Sequence, residues 1–165
     1  MVSKVISEET LDQPIIRRKS LSARNDGGMK TVIDCGEFGR FVTDEPVPHG
    51  GTGQGPSPLQ AVLGALCGCE SVTFNRTASE VGFKYTGIDF DGAFTIDIRG
   101  RMGIARVRPH FQTVRVQATV HTDESEDRLR QVVEKTERRC PVYNLLSDAG
   151  VKAEMVWIRR PTRRR

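Results

Sequence analysis

Between Leu59 and Cys69 the chain carries no charge, and its apolar residues recur at a helical interval. Leu59, Val62, Leu63, Leu66, Cys69 and Thr73 fall on one face of a 3.6-residue repeat. Ser57-Pro58-Leu59-Gln60 has the form of a helix start: Ser57 can cap, Pro58 suits the first helical position, and Gln60 completes a capping box. Gly82 supplies the stop. The pattern predicts one long helix over residues 58–81, central in the fold and covered from several sides. Polar and charged residues return at Glu70, Asn75, Arg76 and Glu80, where the helix is expected to approach the surface. Glu70 reads there as a surface acid or a salt-bridge partner.

The flanking segments alternate with a period of two. Residues 29–44 read as two short strands joined by a turn near Gly36 and Gly39. Residues 88–98 place Ile88, Phe90, Phe94, Ile96 and Ile98 on one face, with Asp91-Gly92 as a hairpin or bulge. Residues 111–120 repeat the pattern through Phe111, Val114, Val116, Ala118 and Val120, broken at Thr113. DESEDRLRQVVEKTERR then reads as an exposed amphipathic helix burying Leu129, Val132 and Val133. Pro141 disfavours helix at Cys140, so a new short helix, PVYNLLSDAG, starts there and ends at Gly150. A last strand, VKAEMVWIR, turns Val151, Ala153, Met155 and Trp157 inward. The order β-β-α-β-β-β-α-α-β belongs to the α+β class, with mostly antiparallel sheets. One domain over residues 21–158 is expected, between an N-terminal arm (1–20) and a basic tail (159–165).

Composition narrows the function classes. With 165 residues, 37% hydrophobic and 28% charged, the chain has the makeup of a single soluble globular domain. No apolar run reaches the roughly 18–20 residues that cross a bilayer. The first 20 residues mix acids and bases without the apolar core of a secretory signal, so a cytoplasmic setting is expected. The formal charge of +4 comes from the tail, RRPTRRR, whose five arginines account for more than the whole excess. A nucleic-acid-binding domain spreads its basic surface across the fold, so a solvated terminus is the expectation here, with neither nucleic acid nor membrane as partner.

Four cysteines remain: Cys35, Cys67, Cys69 and Cys140. They are too sparse for a disulfide scaffold, and the Cys67-x-Cys69 spacing and scattered histidines do not fit a metal site. They are either small buried hydrophobes or chemistry. Cys67 reads as packing, since residues two apart on a helix diverge by about 200° and it does not face Cys69, and Cys35, in a predicted strand, reads as packing too. Cys140, at a helix N-terminus, is expected to be the more acidic thiol, because the dipole favours thiolate there. Cys69, within an apolar helix, needs a neighbouring cation to ionise.

The run GPSPLQAVLGALCGC, its lead-in DEPVPHGGTGQGPSP and the distant ERRCPVYNLL together resemble the OsmC/Ohr family of osmotically inducible and organic hydroperoxide resistance proteins. The resemblance covers roughly residues 40–158. It implies sheets wrapped around two central helices in an intertwined homodimer. It also implies a thiol-dependent peroxidase that needs no cofactor: Cys69 attacks an organic hydroperoxide, Cys140 resolves the product as a disulfide, and an external dithiol resets the pair. The hydroperoxide resistance branch places an acid after the loop proline and an arginine upstream. Leu59 occupies the acid position here, and Arg24 is the candidate for the arginine, ahead of Arg40. The greasier Leu59 site leaves a second expectation, an OsmC-like binder of apolar small molecules or lipids with weak or no peroxidase activity.

Overall fold

A computed structural model describes residues 13–162. Contacts divide the chain into two compact units, one ending at Ser57 and one beginning at Pro58. Parts of two sequence expectations, the arm over residues 1–12 and the tail over 163–165, lie outside the described residues. Residues 14–21 follow an irregular, exposed path.

The first unit is a three-stranded antiparallel sheet in the order β1-β2-β3: β1 (Ser22–Arg24), β2 (Thr31–Asp34) and β3 (Arg40–Thr43). A 3-10 turn at Gly36–Phe38 joins β2 to β3, as the paired glycines predict. β1 is too short to leave a periodic trace in the sequence, and it goes unpredicted. The glycine-rich loop that follows is organised by Asp44. This carboxylate is buried and accepts from the backbone N–H of Glu45, Thr52 and Gln54 and from the Thr52 hydroxyl. Those donors hold its pKa down at about 2. The loop closes so tightly that a Cβ on Gly51 would sit 1.8 Å from the Glu45 carbonyl oxygen. Gly51→Ala must therefore break this loop, and the expected result is loss of protease resistance in residues 44–56, seen as new early cleavage there. An unchanged digestion pattern would show that the backbone can shift at no cost.

The second unit begins with α1 (Pro58–Val81), which matches the predicted helix at both ends. Its C-terminus is closed by Gly82 at φ 67°, by the Phe83 N–H bonding back to the Ala78 carbonyl, and by Arg128, which donates to the Val81 carbonyl. The sheet beside it has the order β4-β5-β6: β4 (Gly87–Ile96), β5 (Phe111–His121) and β6 (Lys152–Arg160). β4 and β5 are antiparallel, with Gly87 opposite His121 and Phe94 opposite Val114. The five β5 residues expected to face inward are all buried.

Two expectations are corrected here. Asp91-Gly92 is neither a hairpin nor a bulge: β4 runs straight through it, and the register slips only at Thr95/Ile96. Gly92 serves packing instead, because a Cβ there would meet the Leu63 side chain at 3.1 Å. β6 pairs with β5 in parallel, Thr113 opposite Lys152, while the other three pairings are antiparallel, so the sheets are mostly antiparallel as expected. A parallel pair needs a long crossover, and residues 122–151 supply it. Finally, β6 continues to Arg160, so Arg159 and Arg160 are strand residues rather than tail.

The crossover consists of α3 (Glu126–Arg139) and α4 (Pro141–Asp148); α2 is a single turn, Ile98–Arg101, between β4 and β5. Ser125 caps α3 by accepting from the Arg128 N–H, with Glu126 and Asp127 in the first turn and Arg138 and Arg139 in the last, as the helix dipole favours. Two apolar clusters fill the unit. One gathers Leu66, Val114, Val116, Cys140 and Leu146; the other gathers Phe74, Phe83, Val120, Leu129 and Val132.

Candidate functional site

The first of those clusters holds three of the four cysteines. Cys67 and Cys69 on α1 pack against it, and Cys140 is one of its fully buried members. Cys140 ends α3 and caps α4, with φ −76° and ψ 111°, an extended conformation imposed by the proline that follows. Asn144 fixes this joint: its side-chain amide donates to the carbonyls of Cys140 (2.8 Å), Glu137 (3.2 Å) and Arg138 (3.3 Å). The Cys140 thiol thereby faces α1, where it interacts with the Cys69 thiol and the Glu70 carboxyl. Two residues that lie 71 positions apart in the sequence are thus brought together.

Glu70 is the surprise. The sequence puts it at the surface, yet it is 0% exposed. The face that α1 buries runs through Leu66, Glu70, Phe74, Thr77 and Ala78, rotated from the predicted stripe, and Val62 is exposed instead. The signal was present in the sequence: Leu66, Phe74 and Ala78 are spaced by multiples of four, and Glu70 falls on the same line. A lone charged residue within that line ordinarily marks solvent. Neither Glu70 oxygen receives an N–H or O–H hydrogen bond among the described residues. Burial, reinforced by the nearby Glu137 carboxylate and opposed by the Cys140 thiol, raises its pKa to about 7.

The expected acidity of Cys140 is overturned by the same environment. Burial drives its pKa far up, the Tyr143 N–H at the start of α4 pulls it back only in part, and the Glu70 carboxyl pushes it up again. Desolvation and a neighbouring carboxylate outweigh one helix N-terminus. Cys67 is half-buried, and its pKa is raised by burial and by Glu70, in keeping with packing. Cys35 is half-buried beside the β2–β3 turn.

The two candidate arginines lie in the first unit. Arg24, in β1, pairs with Asp26 at 2.5 Å with both side chains exposed. Arg40, in β3, pairs with Asp34 at 2.7 Å and holds that carboxyl below its usual range. Among the described residues no group of histidine, cysteine and carboxylate side chains has the arrangement of a metal site.

Residues 51–156 match the family of OsmC-like proteins. The chain belongs to that family. Solved structures with the same fold include an OsmC-like protein from Mycoplasma pneumoniae (17% identity, TM-score 0.71, 89% of this chain and 99% of that one). An organic hydroperoxide resistance protein OsmC from Legionella pneumophila aligns at 15% identity and TM-score 0.62, over 89% and 98% of the two chains. The organic hydroperoxide resistance protein OhrB of Bacillus subtilis aligns at 17% identity and TM-score 0.58, over 87% and 98%. The comparison with curated proteins found no match. In this OsmC-like protein, then, the two thiols that come together in the core, Cys69 and Cys140, both lie within the matched residues, and no described helix is long and apolar enough to cross a membrane.

Proposed function

We propose that the protein is a thiol-dependent peroxidase that reduces organic hydroperoxides, with Cys69 as the nucleophile and Cys140 as the resolving thiol. The observation that carries this reading is that Cys69 and Cys140 interact within one apolar cluster, with the better exposed Cys69 reached first from solvent. The Cys69 thiolate attacks the O–O bond and takes the hydroxyl, while the organic oxygen leaves with the bonding electrons and takes a proton from water to become the alcohol. Cys140 then condenses with the resulting sulfenic acid, releasing water and forming a disulfide that an external dithiol reduces. Such a cycle suits a reducing, cytoplasmic setting.

A homodimer belongs to the same proposal. Exposed, uncharged Val62, Ala65, Gly68 and Val72 leave one side of α1 bare, and a second copy would cover it. Sedimentation at micromolar concentration should return twice the mass of the chain.

The direct test adds one equivalent of cumene hydroperoxide to the reduced protein and maps thiols by mass spectrometry. A Cys69–Cys140 disulfide is expected; Cys69→Ser should leave Cys140 reduced, and Cys140→Ser should stop at a sulfenic acid on Cys69. Four unchanged thiols would refute the reading. Leu59, packed on the same apolar cluster, supports the second reading, a binder of apolar small molecules. In that case Cys69→Ser keeps full ligand affinity, and hydroperoxide leaves the thiols untouched.

A further inference from the structure

The peroxidase reading leaves one group of its own cluster without work. Glu70 is fully buried, has no N–H or O–H partner among the described residues, and stands against the Cys140 thiol. A carboxyl in that position costs stability, because an unpaired buried acid is disfavoured. Cys140, for its part, faces a difficulty: it must lose a proton to attack, and its surroundings oppose ionisation. We propose that Glu70 is the proton acceptor for Cys140 in the step that closes the Cys69–Cys140 disulfide.

The assignment rests on the peroxidase reading for its oxidant and goes beyond it in naming the base. The step balances as follows. The Glu70 carboxylate takes the proton from the Cys140 thiol as the Cys140 sulfur attacks the sulfur of the Cys69 sulfenic acid. The Cys69 S–O bond breaks, and the departing hydroxyl recovers the proton from Glu70 and leaves as water. The Cys140 sulfur is oxidised and the Cys69 sulfur reduced to the same level, and no outside electron acceptor enters. Glu70 ends as it began.

A base working near neutrality needs a pKa near 7, and burial gives Glu70 that value. The groups that bear on it come from every side of the joint: Cys67 on α1, Glu137 on α3, Cys140 between the helices with Cys69 acting on it in turn, and Tyr143 on α4. Glu137 reinforces the upward shift while its own Oε1 accepts from Trp157 Nε1 at 2.9 Å. Cys67, Cys140 and Tyr143 are all shifted to higher pKa, away from neutrality. The rate of disulfide closure should therefore rise with pH through about 7 and level off above it.

The experiment follows closure in the full chain along two routes. In the first, reduced protein receives one equivalent of cumene hydroperoxide, and Cys69 sulfenic acid and disulfide are quenched and counted over time. In the second, Cys69 is loaded with thionitrobenzoate, and release of the coloured thiol reports attack by Cys140 with no peroxide present. Glu70→Gln should slow closure about a hundredfold on both routes and flatten the pH rise, the scale of a lost general base. Glu70→Asp, which keeps the carboxylate, should fall between the two and retain the rise. Closure by Glu70→Gln at the wild-type rate and with the wild-type pH profile overturns the proposal. A wild-type profile with no rise near pH 7 overturns it without any variant. If peroxide leaves the thiols unchanged while the loaded protein closes in a Glu70-dependent way, the peroxidase reading falls and the base assignment stands.

Discussion

Phe74→Ala should cost about 3–5 kcal/mol of stability, the range found when a buried phenylalanine is truncated. Phe74 is 0% exposed and forms the hub of an aromatic group. It stacks on Trp157 with ring centroids 5.3 Å apart and meets Tyr85 and Phe83 edge-on at 5.1 and 5.9 Å. Two of these rings are themselves anchored, Tyr85 by the Asn75 amide and Trp157 by Glu137. They cannot simply collapse into the space, so both the cavity and the lost ring contacts count in full. In urea at fixed protein concentration, the midpoint should fall on the order of 2 M with an unchanged slope. Phe74→Leu, which fills part of the volume, should lose less. A loss below about 1 kcal/mol for alanine would mean that the anchors do not hold.

The second large effect is a dependence of stability on pH, and it follows from Glu70. Its pKa is raised from an ordinary 4.5 to about 7 in the folded chain, so the native state binds more protons than the unfolded state between those values. Stability must then fall as pH rises through that window. At about 1.4 kcal/mol per unit, the loss is at most on the order of 3 kcal/mol between pH 5 and pH 8. Glu70→Gln carries no ionisable group there and should lack this loss. The difference in unfolding free energy between variant and wild type should therefore grow in the variant's favour toward pH 8. Parallel curves for the two proteins would show that Glu70 titrates normally. The sign is the opposite of Asp44, whose depressed pKa contributes stability above about pH 4 that is lost as pH falls toward 2.

Where local chemistry alone decides an element, the sequence could be read directly. Pro58 and Gly82 bracket α1, Pro141 ends α3, and the β5 alternation, including its break at Thr113, gives the buried residues one by one. Where a distant neighbour decides, it could not. Asp91-Gly92 carries the local signal of a turn, but Leu63 on α1 claims the space above Gly92 and the strand runs on. Glu70 looks solvated because charge in a helix usually is, and only the α3–α4 joint closing over it makes it a buried acid. Cys140 sits where a helix dipole should make it acidic, yet the carboxyl reversing that tendency arrives from 70 residues earlier in the sequence. The parallel partner of β5 was hidden for the same reason, since pairing direction is set by the crossover and not by the strand.

That parallel ladder also bears on the timing of synthesis. Val151 and Met155, at the entry to β6, help to cover the Cys140 cluster, and β6 cannot join β5 until the whole crossover has been made. Pairings across so long a loop form late. A nascent chain that has reached α4 but not β6 therefore displays its sulfur chemistry uncovered, and oxidants met during translation would find it before the finished protein could guard it.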